Sequence, residues 1–189
     1  MNRRRFLTSA AGAGALTMGV PWLATAGAAT EDDLAFANFG ASTEFLVKDF
    51  YSKALEAKLV PGARANALKR GKSCAAQHVK ALSDLLVGAG DVAPVEEDFE
   101  FAWPAKTFKT KKDLTATGIG VLHALLGAYQ TAAATVTEPS HRVLYASLTA
   151  SVAQQLAALS ALEGGNAVEP FPVATDLETA SDALEKYLG

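Results

Sequence analysis

The feature that most constrains this chain is its punctuation. From Glu31 onward, runs of apolar residues at helical spacing, each more than twenty residues long, are separated by short clusters of Pro and Gly. The first run covers 31–58 and stops before Pro61-Gly62; the second covers 63–87 and stops at Gly88-Ala89-Gly90. The third opens between Thr110 and Asp113 and reaches Val136, and the fourth opens at Pro139-Ser140 and ends by Gly164-Gly165. Short connections make the first and second runs, and the third and fourth, antiparallel neighbours. The expected fold is therefore all-α: an antiparallel four-helix bundle.

Residues 91–109 form a long connection between the two hairpins, which lets the second pair reverse direction. Phe99, Phe101 and Trp103 alternate within it. Flanked by Pro94, Pro104 and the acids Glu96, Glu97 and Asp98, they read as an extended crossover with its rings on the bundle rather than as a strand. A shorter amphipathic piece, 175–188, follows the fourth helix, and Thr175 with Glu178 has the spacing of a capping box.

Half of the 189 residues are hydrophobic and a fifth charged, enough for one sizeable core and too apolar for disorder. Of 17 basic residues three fall in the first thirty positions, which hold none of the 20 acids, so the remainder carries a balance of −6. Nucleic acid is a poor partner for such a chain. The small basic groups Lys69, Arg70, Lys72 and Lys109, Lys111, Lys112 read as solvated faces. One cysteine, Cys74, excludes an intramolecular disulfide framework and a Cys-rich metal site, so packing alone holds the bundle.

The first thirty residues differ from the rest. Asn2-Arg3-Arg4-Arg5-Phe6-Leu7 has the twin-arginine pattern: a polar residue, Arg3 and Arg4, any residue, then the large apolar pair Phe6 and Leu7. A mildly apolar Ala/Gly-rich stretch, 10–23, is too short for a membrane span, and Ala24-Thr25-Ala26 and Ala26-Gly27-Ala28 offer small residues for cleavage. The expected organisation is a signal peptide over 1–30, a bundle over 31–166 and a tail with a short helix over 167–189. The expected destination is the periplasm or the exterior, with no membrane span after cleavage.

The helix faces single out few polar groups that point inward. On the first helix Asn38, Ser42, Asp49, Ser52 and Glu56 share one side, and Phe36, Val47, Phe50 and Tyr51 the other. Glu44 lies nearer the apolar side, where a carboxylate needs a partner unless it reaches water as a boundary residue. On the second helix Cys74, His78, Leu82 and Leu85 form an apolar stripe flanked by Ala75, Val79 and Leu86, so His78 points inward. Because these two helices are neighbours, Glu44 and His78 can meet. His123 falls on the weak polar side of the third helix, opposite Ile119, Leu122, Leu126 and Tyr129, and so is expected to face outward. On the fourth helix Leu148, Val152, Leu156 and Leu159 turn inward, and His141 sits in the first turn, solvated at the bundle end.

Glu44-Phe45-Leu46 with Asp49-Phe50-Tyr51, then His78-Val79-Lys80-Ala81-Leu82, Asp98-Phe99-Glu100-Phe101 and Gly127-Ala128-Tyr129 resemble, in that order, the bacterial ferritin-like domain family with exported, desiccation-related members. Such folds hold two iron or manganese ions with a Glu on each of two helices and a Glu-x-x-His on each of the other two. What the resemblance implies here is a depleted set. Glu44 is the first-helix ligand, and the second-helix pair falls on Ala75 and His78. The third-helix Glu falls on Leu122, with His123 one place out of phase, and the fourth-helix pair falls on Ala153 and Leu156. Two of the six ligands, Glu44 and His78, survive as vestiges.

Three functions follow as expectations. The first is a non-catalytic exported bundle, structural, stress-associated or binding an unidentified protein partner or itself, with no cofactor. The second is residual metal binding or oxidoreductase chemistry at Glu44 and His78, with iron or manganese and with His123 turned inward. The third is a small apolar ligand in a core vacated at Ala75, Leu122, Ala153 and Leu156.

Overall fold

The computed structural model describes residues 30–164 and 172–188; Arg3, Arg4, Phe6, Leu7 and the rest of the expected signal segment lie outside the described residues. Those residues form five α-helices and no β-strand. α1 spans Glu31–Glu56. Thr30 and Asp33 cap it reciprocally, and Glu31, Asp32 and Asp33 place negative charge where the helix dipole favours it. A 3-10 turn, Gly62–Arg64, leads into α2, Ala65–Gly88. α3, Lys111–Thr135, starts at Thr110, whose hydroxyl accepts from the Asp113 amide at 3.0 Å, and α4, Pro139–Leu162, starts on a proline that needs no N–H partner.

The short helix α5, Leu177–Glu185, corrects one expectation. Its N-cap is Asp176, which accepts from the Thr179 amide at 2.7 Å; Thr175 does not cap it. Thr175 is instead bound to α3. Its amide donates to the Gly127 carbonyl at 3.0 Å and its own carbonyl accepts from the Thr131 hydroxyl at 2.8 Å. A strap made through the backbone of one residue has no periodic signature, whereas Thr-x-x-Glu does.

α1 packs on α2 and α3 on α4, with α1 also touching α3 and α2 touching α4. Gly40, early in α1, faces Tyr129, late in α3, whereas Gly118, early in α3, faces Phe50, late in α1. α1 and α3 are therefore antiparallel, as a crossover running the length of the bundle requires. Leu46, Phe50, Leu82, Leu122, Leu125, Val152 and Leu159 are all essentially inaccessible to solvent and fill the space between the four helices. Each such side chain contributes about 1.5–3 kcal/mol by leaving water.

The crossover carries its rings on the bundle. Phe99 packs on Phe45 with ring centres 5.6 Å apart and Trp103 on Phe50 at 5.6 Å. The Trp103 indole N–H donates to Asp49 at 2.6 Å, Lys48 pairs with Glu96 at 2.6 Å, and Asn38 donates to Asp91 at 3.1 Å. The polar side of α1 therefore faces the crossover rather than open water, and α1 is buried nearly all round. Phe101 makes an isolated antiparallel bridge to Leu188, and the Ala102 amide donates to the Tyr187 carbonyl at 2.8 Å, which fastens the C-terminal segment to the crossover.

The inward stripe of α2 runs Leu68, Gly71, Ala75, His78, Leu82, Leu86; Cys74 and Leu85 flank it and are only half-buried. His141 is half-buried too, with its Nδ1 shielded from solvent rather than solvated. Among the described residues, no helix is long and apolar enough to cross a membrane.

Candidate functional site

Glu44 sits midway along α1 with no exposed surface, and His78 faces it from α2. The His78 Nδ1 lies 2.8 Å from the Glu44 Oε1, and the Tyr129 hydroxyl of α3 donates to the same oxygen at 3.1 Å. One carboxylate oxygen thus serves donors from two other helices. The second, Oε2, is buried and has no protein partner.

Two glycines make this geometry possible. A Cβ at Gly40, one turn before Glu44, would lie 2.9 Å from Tyr129 Cε1 and 3.1 Å from Leu82 Cδ1, so its absence lets the Tyr129 ring reach the carboxylate. A Cβ at Gly71 of α2 would lie 2.2 Å from Tyr51 Cζ, so the second glycine admits the Tyr51 ring between α1 and α2. Both tyrosines are close enough to feel the charge of Glu44. Burial, then Glu44, then Tyr145 and the hydrogen bond to Glu44 push the Tyr129 hydroxyl far above the usual tyrosine range. Burial, then Glu44 and Cys74, do the same to Tyr51. Tyr129 is therefore a fixed hydrogen-bond donor at any ordinary pH.

The remaining expected positions divide. Ala75, Leu122 and Leu156 are buried in the core. Ala153 is not. It lies on the exposed side of α4, because the inward line of that helix runs through Leu148, Val152, Gln155 and Leu159, and at 100° per residue position 153 falls well outside it. A cavity lined by Ala153 is thereby excluded. His123 is exposed on α3, away from Glu44, and faces the tail and α5.

A model of the ferritin-like domain matches residues 32–165. The chain belongs to the ferritin-like domain family. A search of curated proteins finds no match, and neither does a search of solved structures.

Ferritin-like folds hold metal pairs with six ligands, most of them anionic. This ferritin-like bundle brings one carboxylate and one imidazole together. Among the described residues, no group of three or more His, Cys, Asp or Glu converges on a point that could hold an ion. Hydrocarbon at Ala75, Leu122 and Leu156 cannot coordinate, and one oxygen of Glu44 already accepts two hydrogen bonds. The donor set does not fit a pair of divalent cations.

Glu44 and His78 are legible as inward polar groups from helical spacing. Tyr129 as their third member, and Gly40 and Gly71 as the residues that admit the rings, are not. The available signal was a glycine one turn from an inward glutamate, with a tyrosine on the inner line of a neighbouring helix. Gln155 was missed as well: it is buried at 7% exposure, with both amide atoms shielded from water and without a protein partner.

Proposed function

We propose that this protein is a ferritin-like bundle whose metal centre has been retired. In its place is the closed cluster Glu44, His78 and Tyr129, and the protein acts without catalysis as a structural, stress-associated or partner-binding component of the cell envelope. The observation that carries this reading is the occupancy of Glu44. Its Oε1 lies 2.8 Å from the His78 imidazole nitrogen and accepts from the Tyr129 hydroxyl at 3.1 Å. Such a cluster fixes the register of three helices more surely than it adds stability.

The twin-arginine pattern at Arg3, Arg4, Phe6 and Leu7 supports delivery to the periplasm or exterior of the cell. Replacing Arg3 and Arg4 together by lysine is expected to leave the protein in the cytoplasm on fractionation. Undiminished export of that variant removes the placement.

One observation favours a second reading, residual binding of a single iron or manganese ion: the buried Glu44 Oε2 retains its lone pairs. Titration of wild type and His78→Ala with iron(II) and manganese(II), read by calorimetry, separates the two. The retired-centre reading expects no saturable heat from either protein, whereas a stoichiometric site lost in His78→Ala establishes the second.

A further inference from the structure

Residues 114–135 of α3 contain no Asp, Glu, Lys or Arg. The strap at Thr175 and the helix α5 lie over the outward side of α3, but Gly120 and His123 remain exposed. Beside them the three segments enclose a cleft of about 330 Å³. α3 supplies Gly120, His123 and Ala124 to it, the strap Pro172, and α5 Thr179 and Ala183. Its walls are fastened. Thr175 is bound to Gly127 and Thr131, Asp176 caps α5, and the Tyr187 carbonyl just beyond α5 accepts from the Ala102 amide of the crossover.

One residue keeps the floor open. Glycine inside a helix is unfavourable relative to alanine, and two other glycines of α3 repay this by packing: Gly118 admits the Phe50 ring and Gly127 the Thr175 side chain. A Cβ at Gly120 would meet nothing within 4 Å, so no neighbouring side chain uses the space it leaves.

We propose that this cleft binds a small uncharged molecule, an aromatic or short-chain body carrying one hydroxyl group. Size sets the first limit. A single helical turn, 5.4 Å long and about 10 Å across with its side chains, fills roughly 420 Å³. That is more than the cleft holds, so a helix of a partner or of a second copy does not enter it, whereas small-molecule sites begin at about 300 Å³. The lining sets the second. Among the described lining residues there is no Asp, Glu, Lys or Arg, so a charged ligand would give up water without gaining an opposite charge. The His123 imidazole has no hydrogen-bond partner among the described residues and offers an N–H whichever ring nitrogen carries the proton. The Thr175 hydroxyl donates to the Val173 carbonyl at 3.4 Å and keeps its lone pairs. A ligand hydroxyl can accept from the first or donate to the second, while its apolar body lies on Gly120, Ala124 and Ala183.

Titration of the purified chain with p-cresol, followed by amide shifts in nitrogen-15 NMR, tests the site. Saturable shifts are expected at Gly120, His123, Thr179 and Ala183. Toluene, which lacks the hydroxyl, is expected to bind about three- to tenfold more weakly, the worth of one hydrogen bond, and benzoate not to bind. Gly120→Leu fills the cleft from its floor and is expected to abolish the response to p-cresol with helicity and melting temperature kept or raised; if that variant does not fold, Ala183→Leu fills the cleft from α5. His123→Ala is expected to narrow the difference between p-cresol and toluene. The absence of saturable shifts with p-cresol, shifts that persist in the filled variant, or benzoate bound as tightly as p-cresol overturns the proposal. The inference does not depend on the reading of Glu44 and His78.

Discussion

Removing His78 is the sharpest probe of the buried cluster. In His78→Ala the Glu44 carboxylate, wholly inaccessible to water, loses its 2.8 Å partner and keeps only the Tyr129 hydroxyl at 3.1 Å, with Oε2 already unpartnered. Deleting one member of a buried hydrogen-bonded pair that holds a carboxyl group costs about 3–5 kcal/mol. For a chain of this size, at about 2–4 °C per kcal/mol, that lowers the melting temperature by roughly 6–20 °C. Replacing all members at once behaves differently. Glu44→Met with His78→Leu and Tyr129→Phe leaves no orphaned polar atom of the cluster and keeps volume nearly constant, so the triple variant is expected within about 1–2 kcal/mol of wild type, or above it. Urea unfolding followed by circular dichroism at neutral pH, with the slope against denaturant checked for constancy, measures both. A His78→Ala cost under about 1 kcal/mol, or a triple variant as unstable as the single one, refutes the cluster as the core's electrostatic keystone.

Three further outcomes are expected. Gly71→Ala forces a methyl against the hydroxyl-bearing end of the Tyr51 ring and is expected to cost about 1–3 kcal/mol in the same urea assay. Gly40→Ala meets its neighbours at 2.9–3.1 Å rather than 2.2–2.6 Å and is expected to cost less. Gly127→Ala would put its Cβ 2.2 Å from Thr175 Oγ1 and 2.9 Å from the Val173 carbonyl. Since alanine also favours the helix by about 1 kcal/mol, hydrogen exchange at the Thr175 amide should accelerate while global stability changes little. Asp33 gives the pH signature: burial raises its pKa, but hydrogen bonds from Thr137 and Thr30 outweigh that and hold it below the usual 3.8. A carboxyl with a depressed folded pKa contributes stability that is present above the unfolded value and is lost as the pH falls through the folded one. Acid unfolding of wild type should therefore steepen below about pH 4, and Asp33→Asn should flatten that limb and lower stability at neutral pH.

The helices and their order are written in the sequence because their signals are local. Pro61-Gly62, Gly88-Ala89-Gly90 and Pro139 end or start elements within a residue or two of where the fold places them. Inward Glu44 and His78 are legible for the same reason, since each depends on the period of its own helix. What the sequence conceals depends on meetings between distant parts. Tyr129 reaches Glu44 across 85 residues, and the space it uses is the missing Cβ of Gly40. The crossover covers the polar side of α1 through Trp103 and Asp49, which no periodicity in either segment announces. Ala153 faces outward although the resemblance pairs it with Leu156, because a ligand pattern carried over by resemblance fixes a position only to within a residue, and on a helix one residue is 100°.

The most direct test of the retired centre is anomalous diffraction from crystals of the protein soaked in iron(II) and, separately, manganese(II), with data collected at each metal's absorption edge. The account predicts no ordered peak between α1, α2, α3 and α4, and a Glu44 still bound to His78 and Tyr129. Two peaks about 3.5–4 Å apart beside Glu44, the spacing of a working metal pair, would contradict it.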